Sequence, residues 1–444
     1  MNTIISFKNI NKLAIPALIS GVSEPIISIT DAAVVGNIDV YATESLAAVG
    51  IVTTFLSMLI WVLGQTRSAL SSIVSQYLGA DNVEAVKNLP AQAIFLITSL
   101  SIVIIAATYP FAATIFKLYN ASDLILAYSV DYYQIRVFGF PFTLFVIAVF
   151  GTFRGLQNTF YPMIIAIAGT LANIILDFAL VYGIDGIIAP MNIIGAAYAS
   201  VASQLIMALL ATYFLLTKTD IPLKLTFPFN KEINRLVLMI LNLFVRTIAL
   251  NVTLYYASAF STSYGKNYIA AYTIAINLWF LGAFVIDGYA SAGTILSGKL
   301  LGAKDSPSLL KLGNKLLGYG IVVGVIMAIV GALLYVPLGK IFTNDVAVLE
   351  KFYDIFWILL IMQPFCAIAF IYDGIFKGLG KMKYLRNVLL FSTFIVFVPV
   401  LFWLDYLDYK LYGIFIAITI WIIARGVPLV IKFYQLFLPR LQKT

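Results

Sequence analysis

The side chains able to do chemistry in this chain lie inside its apolar runs. Asp31 falls within LAIPALISGVSEPIISITDAAVVG (residues 13–36), and Thr170, Asn173 and Asp177 follow at spacings of three and four in TLANIILDFALV. Those spacings place the last three on one face of a helix. A carboxylate in hydrocarbon is costly, so such residues face a bundle interior or a wet cavity and mark a pathway or relay. Two carboxylates with amide and hydroxyl oxygens beside them permit two chemistries. Kept from water and close together, they cannot both stay ionised without strong repulsion, which makes the pair a proton carrier. Oxygen-only donors equally suit a hard cation such as Na⁺, held by Asp31, Asn173 and Asp177 with Thr170 or Ser200 alongside. The residues leave that choice open, and interhelical hydrogen bonding competes as a reading of Thr170 and Asn173.

Other groups qualify by type. Glu24, an additional candidate, precedes Pro25 near the middle of the first apolar run, and Pro16 lies lower in it. Proline removes a helix hydrogen bond, so both prolines are expected to bend the segment that carries Asp31. Asp287 in FVIDGYASAG and Asp373 in FIYDGIFKGLG are possible acids of the second half. Asp373 stands four residues before Lys377, the spacing of a helical ion pair. Arg67, Arg136, Arg246 and Arg425 fall within or at the edges of apolar runs, and snorkelling to an interface is the expectation for most of them.

The elements that must position these groups are membrane helices. Of 444 residues, 62% are hydrophobic and 11% charged, with a mean hydropathy of +0.99. That is far above a soluble domain, whose apolar share is about one half. At about 20 apolar residues per crossing, twelve spans are expected, at 13–36, 45–78, 88–116, 125–157, 160–182, 193–217, 233–263, 268–301, 312–338, 347–380, 384–408 and 411–437. The first is read as a retained helix rather than a cleaved leader. Histidine is absent and Cys366 stands alone, which excludes imidazole metal sites, a His relay and a disulfide framework. The net charge of +8 comes from basic residues that recur between apolar runs, the pattern of cytoplasmic loops rather than a nucleic-acid patch. Most of the 28 Lys and Arg fall on one face, including Lys8, Lys87, Lys218, Lys311 and Lys443, so both termini are expected to be cytoplasmic. On that orientation Asp31 and Asp177 sit at one depth, about 25 Å from the inner face.

The chain also repeats itself. At an offset of 223, Leu78-Gly79-Ala80 matches Leu301-Gly302-Ala303, Pro141-Phe142 matches Pro364-Phe365, and Gly151, Phe153 and Gly155 match Gly374, Phe376 and Gly378. Beyond a longer loop at 183–192 the offset becomes 218, pairing Gly195 and Ala199 with Gly413 and Ala417. The expected division is an N-lobe of six spans (1–217), a cytoplasmic linker (218–232) and a C-lobe of six spans (233–444). Six spans per half preserve orientation, so the lobes are parallel repeats facing a central cavity that opens to either side in turn. Departures from the repeat are polar: Asp31, Asn173 and Asp177 oppose Leu254, Val396 and Val400, whereas Thr170 keeps its hydroxyl opposite Thr393.

The series LAIPALISGVSEPIISITDAAVVGNID, VSQYLGA, FRGLQNTFYPM, NIILDFALVYG and IGAAYAS, then IDGYASAGTILSGKLLGA and YDGIFKGLGKMKYLRN, resembles the multidrug and toxic compound extrusion (MATE) transporters, and among them the DinF-like branch. The resemblance runs from the first span to the last. It implies an all-α, V-shaped, two-lobe antiporter that exports small organic, often cationic or amphipathic compounds in exchange for H⁺ or Na⁺. The family's coupling aspartate falls on Asp31, its fifth-helix asparagine and aspartate on Asn173 and Asp177, and its helix-bending proline on Pro16. A sixth-helix threonine is matched by Ser200, which keeps the hydroxyl, and the branch's eighth- and tenth-helix acids fall on Asp287 and Asp373. The resulting expectation is a monomeric, multi-pass exporter of the inner (plasma) membrane, not an enzyme, with no cofactor beyond the coupling ion and no nucleic-acid partner. A lipid-linked oligosaccharide flippase of the wider superfamily is the alternative. It would favour a basic cavity, against which the acids of the first lobe argue.

Overall fold

The computed structural model describes residues 5–38 and 41–441, apart from the side chains of Glu24 and residues 439–441. The Glu24 side chain and Lys443 therefore lie outside the described residues. Among the described residues, twelve helical runs are long and apolar enough to cross a membrane: α1 Phe7–Val35, α2 Ala42–Gly79, α3 Val83–Thr108, α4 Asp123–Gly155, α5 Phe160–Val181 and α6 Asn192–Lys218, then α7 Ile233–Ser263, α8 Lys266–Gly302, α9 Ser306–Phe342, α10 Val346–Gly378, α11 Met382–Tyr406 and α12 Lys410–Leu438. Among the described residues no strand forms beyond a bridge between Ile184 and Ile188. This is the twelve-span, all-α chain that its hydropathy requires.

Where the runs depart from simple helices, proline or a cap accounts for most of it. The third span ends at Thr108 rather than 116, because Pro110 interrupts it and Ala112–Lys117 forms a separate short helix. In α4 a 3₁₀ turn at Val137–Gly139 precedes Pro141, and in α11 a π turn at Ser392–Phe397 precedes Pro399. Each turn contains the residue four before its proline, whose carbonyl the ring would otherwise strike. By contrast α1 passes through Pro16 and Pro25 as one unbroken helix. The overlong second span is two helices, Ala42–Leu63 and Thr66–Gly79. Asp345 starts α10 by accepting hydrogen bonds from the amides of Ala347 (2.9 Å) and Val348 (3.4 Å).

The sequence repeat reappears as a repeat of close helix crossings. A Cβ on Gly151 would lie 2.7 Å from the Arg67 carbonyl, and one on Gly374 would lie 2.1 Å from the Ala290 carbonyl. Residues 67 and 290, like 151 and 374, are 223 apart, so α2 against α4 and α8 against α10 cross at equivalent points. Only glycine admits backbone this near. The ends of α2 and α8 also meet reciprocally: a Cβ on Gly79 would fall 1.8 Å from the Lys299 carbonyl, and one on Gly302 the same distance from that of Gln76.

Packing divides the chain into two units, one of 19–74 and 82–240, the other of 1–18, 75–81 and 241–444. This differs from a division at 217 and 233. The first turns of α1 and the last turns of α2 pack with the second half, as the Gly79 crossing and the hydrogen bond from Gln76 Nε2 to the Gly378 carbonyl (2.7 Å) require. The connection after α6 belongs to the first unit. Asn230 binds the Asn88 and Ala85 oxygens at 2.7 and 2.8 Å, while Gln92 Nε2 donates to the Thr226 carbonyl at 2.8 Å. In the second unit α9 is apolar and little buried by protein, the surface expected to meet lipid.

Candidate functional site

In the first unit, α1, α4, α5 and α6 bring together a buried acidic group. Helices α5 and α6 form an antiparallel pair held closely at one end, where a Cβ on Gly195 would lie 2.5 Å from the Leu180 carbonyl. Asp177 and Ser200 each lie within about 8 Å along their helices from that point. The Tyr182 hydroxyl donates to the Val34 carbonyl at 2.9 Å, tying the end of α1 to the end of α5. Asp31, one turn earlier in α1, is 2% exposed and Asp177 is fully buried.

Ser200 Oγ donates to Asp31 Oδ2 at 2.9 Å. The carboxyls of Asp31 and Asp177 are near enough to interact directly. Beyond the Ser200 bond, Asp31 Oδ1, both oxygens of Asp177 and both ends of the Asn173 amide are buried without a hydrogen-bond partner. Four of these five atoms are acceptor oxygens. A buried acceptor left unpaired is unfavourable by about 1–3 kcal/mol, more when charged. Such a group could take up something small and positive, either a proton on a carboxyl or a hard cation among the oxygens. Thr170 is buried on the same face of α5, but its hydroxyl donates to the Ala166 carbonyl of its own helix at 2.9 Å. Among the described residues no group of three or more His, Cys, Asp or Glu converges on a metal position.

Two members of this group escape a reading of residue types. Tyr132, fully buried in α4, sits beside both aspartates, with the half-buried Arg136 against its hydroxyl. Arg136 also acts on Asp177 and supplies the nearby positive charge. The available signal was polar spacing: Tyr132 and Arg136 are four apart in DYYQIR, so they share a helix face.

The acids of the second half are placed differently. Asp373 is bound by cations: Arg246 at 2.5 Å, Lys377 at 2.9 Å and Arg425 at 3.9 Å. The helical pair with Lys377 forms as its spacing implies. The snorkelling expected of Arg246 and Arg425 does not occur, because a buried carboxylate and, for Arg425, the rings of Trp421 and Phe370 receive them inside the helix bundle. Asp287 joins neither cluster; it lies on an exposed face of α8 between buried Ile286 and Gly288.

Comparison with known proteins agrees with this architecture. The MatE family model matches residues 16–179 and 243–403, well over half of the chain, and the chain belongs to that family of transporters. It is 24% identical over 425 residues to DNA damage-inducible protein F of Escherichia coli (strain K12), covering 94% of this chain and 90% of that protein. It is 27% identical over 423 residues to the probable multidrug resistance protein NorM of Photorhabdus laumondii, covering 92% and 87%. A solved structure described as "Crystal structure of MATE in the bent conformation" superposes with a TM-score of 0.90 at 20% identity, covering 98% of this chain and 96% of that one, and shows the shared fold.

Proposed function

We propose that the protein is a secondary exporter of small organic compounds, cationic or amphipathic, driven by inward movement of H⁺ or Na⁺ through the Asp31–Asp177 pocket. The observation that carries this reading is the excess of buried, unpaired acceptor oxygens on Asp31, Asp177 and Asn173. Such a pocket changes its charge balance when one cation enters, and so it favours different packing of α1, α5 and α6 in the loaded and empty states. Alternation between openings to the two sides then couples ion entry to release of the exported compound. Relatives named for multidrug resistance support the substrate class. The protein acts as a monomer in the inner (plasma) membrane with both termini cytoplasmic, a placement supported by the basic loops.

The test is efflux of a cationic dye from vesicles with pH and Na⁺ gradients imposed independently and ATP absent. Wild-type protein exports dye under one of the two gradients. Asp31→Asn reaches the membrane folded and exports none above the background of empty vesicles. Full efflux by that variant would remove Asp31 from coupling.

A further inference from the structure

The cluster around Asp373 contains more positive charge than its acid answers. Arg246 from α7, Lys377 from α10 and Arg425 from α12 share this single carboxylate, and among the described residues none of the three forms an ion pair with another acid. Arg246 is 6% exposed and Arg425 3%. Two of their donors, Arg246 Nε and Arg425 Nη1, are buried with no acceptor. The rings of Phe370 and Trp421, 5.2 and 5.0 Å from the Arg425 guanidinium carbon, cover its flat faces. Ring faces attract the cation but accept nothing from its in-plane N–H groups. A buried surplus of charge with idle donors is strongly unfavourable unless a counter-ion completes it.

We infer that Arg246, Arg425 and Lys377 form a binding site for one oxyanion group, a phosphate or a carboxylate, in the second half of the chain. Arginine's planar fork matches such groups in geometry as well as charge. A singly charged oxyanion would reduce the surplus from two charges to one, and a doubly charged phosphate would cancel it. Lys377, with 17% of its side chain exposed, marks the edge from which the anion enters. The same chemistry is offered by the phosphate of an anionic lipid and by a soluble anion. This site is separate from the acids of the first unit and does not depend on cation coupling there.

The test uses full-length protein in an uncharged detergent and in nanodiscs. Sodium phosphate is compared with sodium chloride at matched ionic strength in detergent, and phosphatidylglycerol is compared with phosphatidylcholine in nanodiscs, with thermal unfolding as the readout. Phosphate raises Tm by a few degrees over chloride if the source is soluble, and phosphatidylglycerol does so over phosphatidylcholine if it is lipid; either result supports the site. Arg425→Gln weakens the effective anion by about tenfold or more, Arg425→Lys restores part of the affinity, and the surface variant Lys304→Gln leaves it unchanged. Should Arg425→Gln not accumulate, Lys377→Gln serves in its place, with affinity falling about threefold. The assignment is overturned if neither phosphate nor phosphatidylglycerol stabilises the protein, or if their effect survives undiminished in the cluster variants.

Discussion

The two halves of the chain share one helical plan and bury opposite chemistry in it. In the first, two carboxyls and an amide present acceptors with few donors; in the second, three cations surround one acid and leave donors idle. The clusters do not occupy equivalent places. Asp31 and Asp177 oppose Leu254 and Val400, while Asp373 and Arg246 oppose Phe150 and Ser23. The helix crossings at Gly151 and Gly374 are nevertheless superimposable in kind. The repeat thus governs backbone packing, and polarity is laid into each half separately. In the second half the acid is held by cations from three helices and works as a fastening. In the first, the acids lack a comparable clasp among the described residues.

The sharpest way to break this contrast is to neutralise one acid on each side. Asp373→Asn removes the carboxylate shared by three buried or half-buried cations and should lower stability by about 3–5 kcal/mol, the usual result of breaking one side of a buried pair. Asp177→Asn alters a carboxyl that forms no ion pair among the described residues, and its stability should equal or exceed that of wild type in the absence of coupling ion. Thermal unfolding of the two purified variants decides the matter. Equal losses would mean that both clusters are fastenings.

Ligand linkage probes the same difference from the other side. A cation that binds only folded protein stabilises it by about 2.7 kcal/mol at a hundredfold excess over its Kd. Whichever of Na⁺ or acid pH stabilises the wild type, that increment should vanish in Asp177→Asn and persist in Lys377→Gln. Persistence in Asp177→Asn would locate the coupling ion elsewhere. A smaller effect is expected of Ser200→Ala, which deletes the 2.9 Å bond to Asp31. Hydrogen bonds to charged groups contribute about 1.5–3 kcal/mol, so dye efflux at limiting ion should fall by roughly tenfold to a hundredfold, and Ser200→Thr, which retains the hydroxyl, should recover most of it.

How much of this was legible beforehand depended on the distance over which a residue acts. The spans follow from local hydropathy, and the glycines at 79 and 302, matched at the offset of 223, lie at crossings in the structure. The pair of Asp373 with Lys377 lies within one helical turn and could be read from spacing. Arg246 reaches Asp373 across 127 residues, and no local pattern distinguishes it from an arginine that snorkels. Tyr132 and Arg136 were hidden for a related reason, since aromatic and basic residues are common near membrane interfaces and only tertiary packing brings these two to the aspartates. Prolines were harder to read: the expected third span of 88–116 ran through Pro110, where the helix in fact ends, while α1 continues as helix through Pro16 and Pro25.

Thr170 gives the finest test of where the pocket ends. It lies three residues before Asn173 on the same buried face, so position alone would include it among the oxygens around a cation. Its hydroxyl proton is already committed to the Ala166 carbonyl, a bond that any helical threonine can make with its own turn. Its counterpart in the second half, Thr393, also has a hydroxyl, although that half has no acid at the places of Asn173 and Asp177. In the structure the two hydroxyls bond differently, Thr170 within its own helix and Thr393 with Thr253 and the Trp421 indole, and helix packing accounts for both. Thr170→Val preserves the shape and removes the oxygen, so it should change stability by less than about 1 kcal/mol and leave the ion dependence of dye efflux within about twofold of wild type. A loss as deep as that of Ser200→Ala, measured over the same ion titration, would extend the pocket by one helical turn to include Thr170.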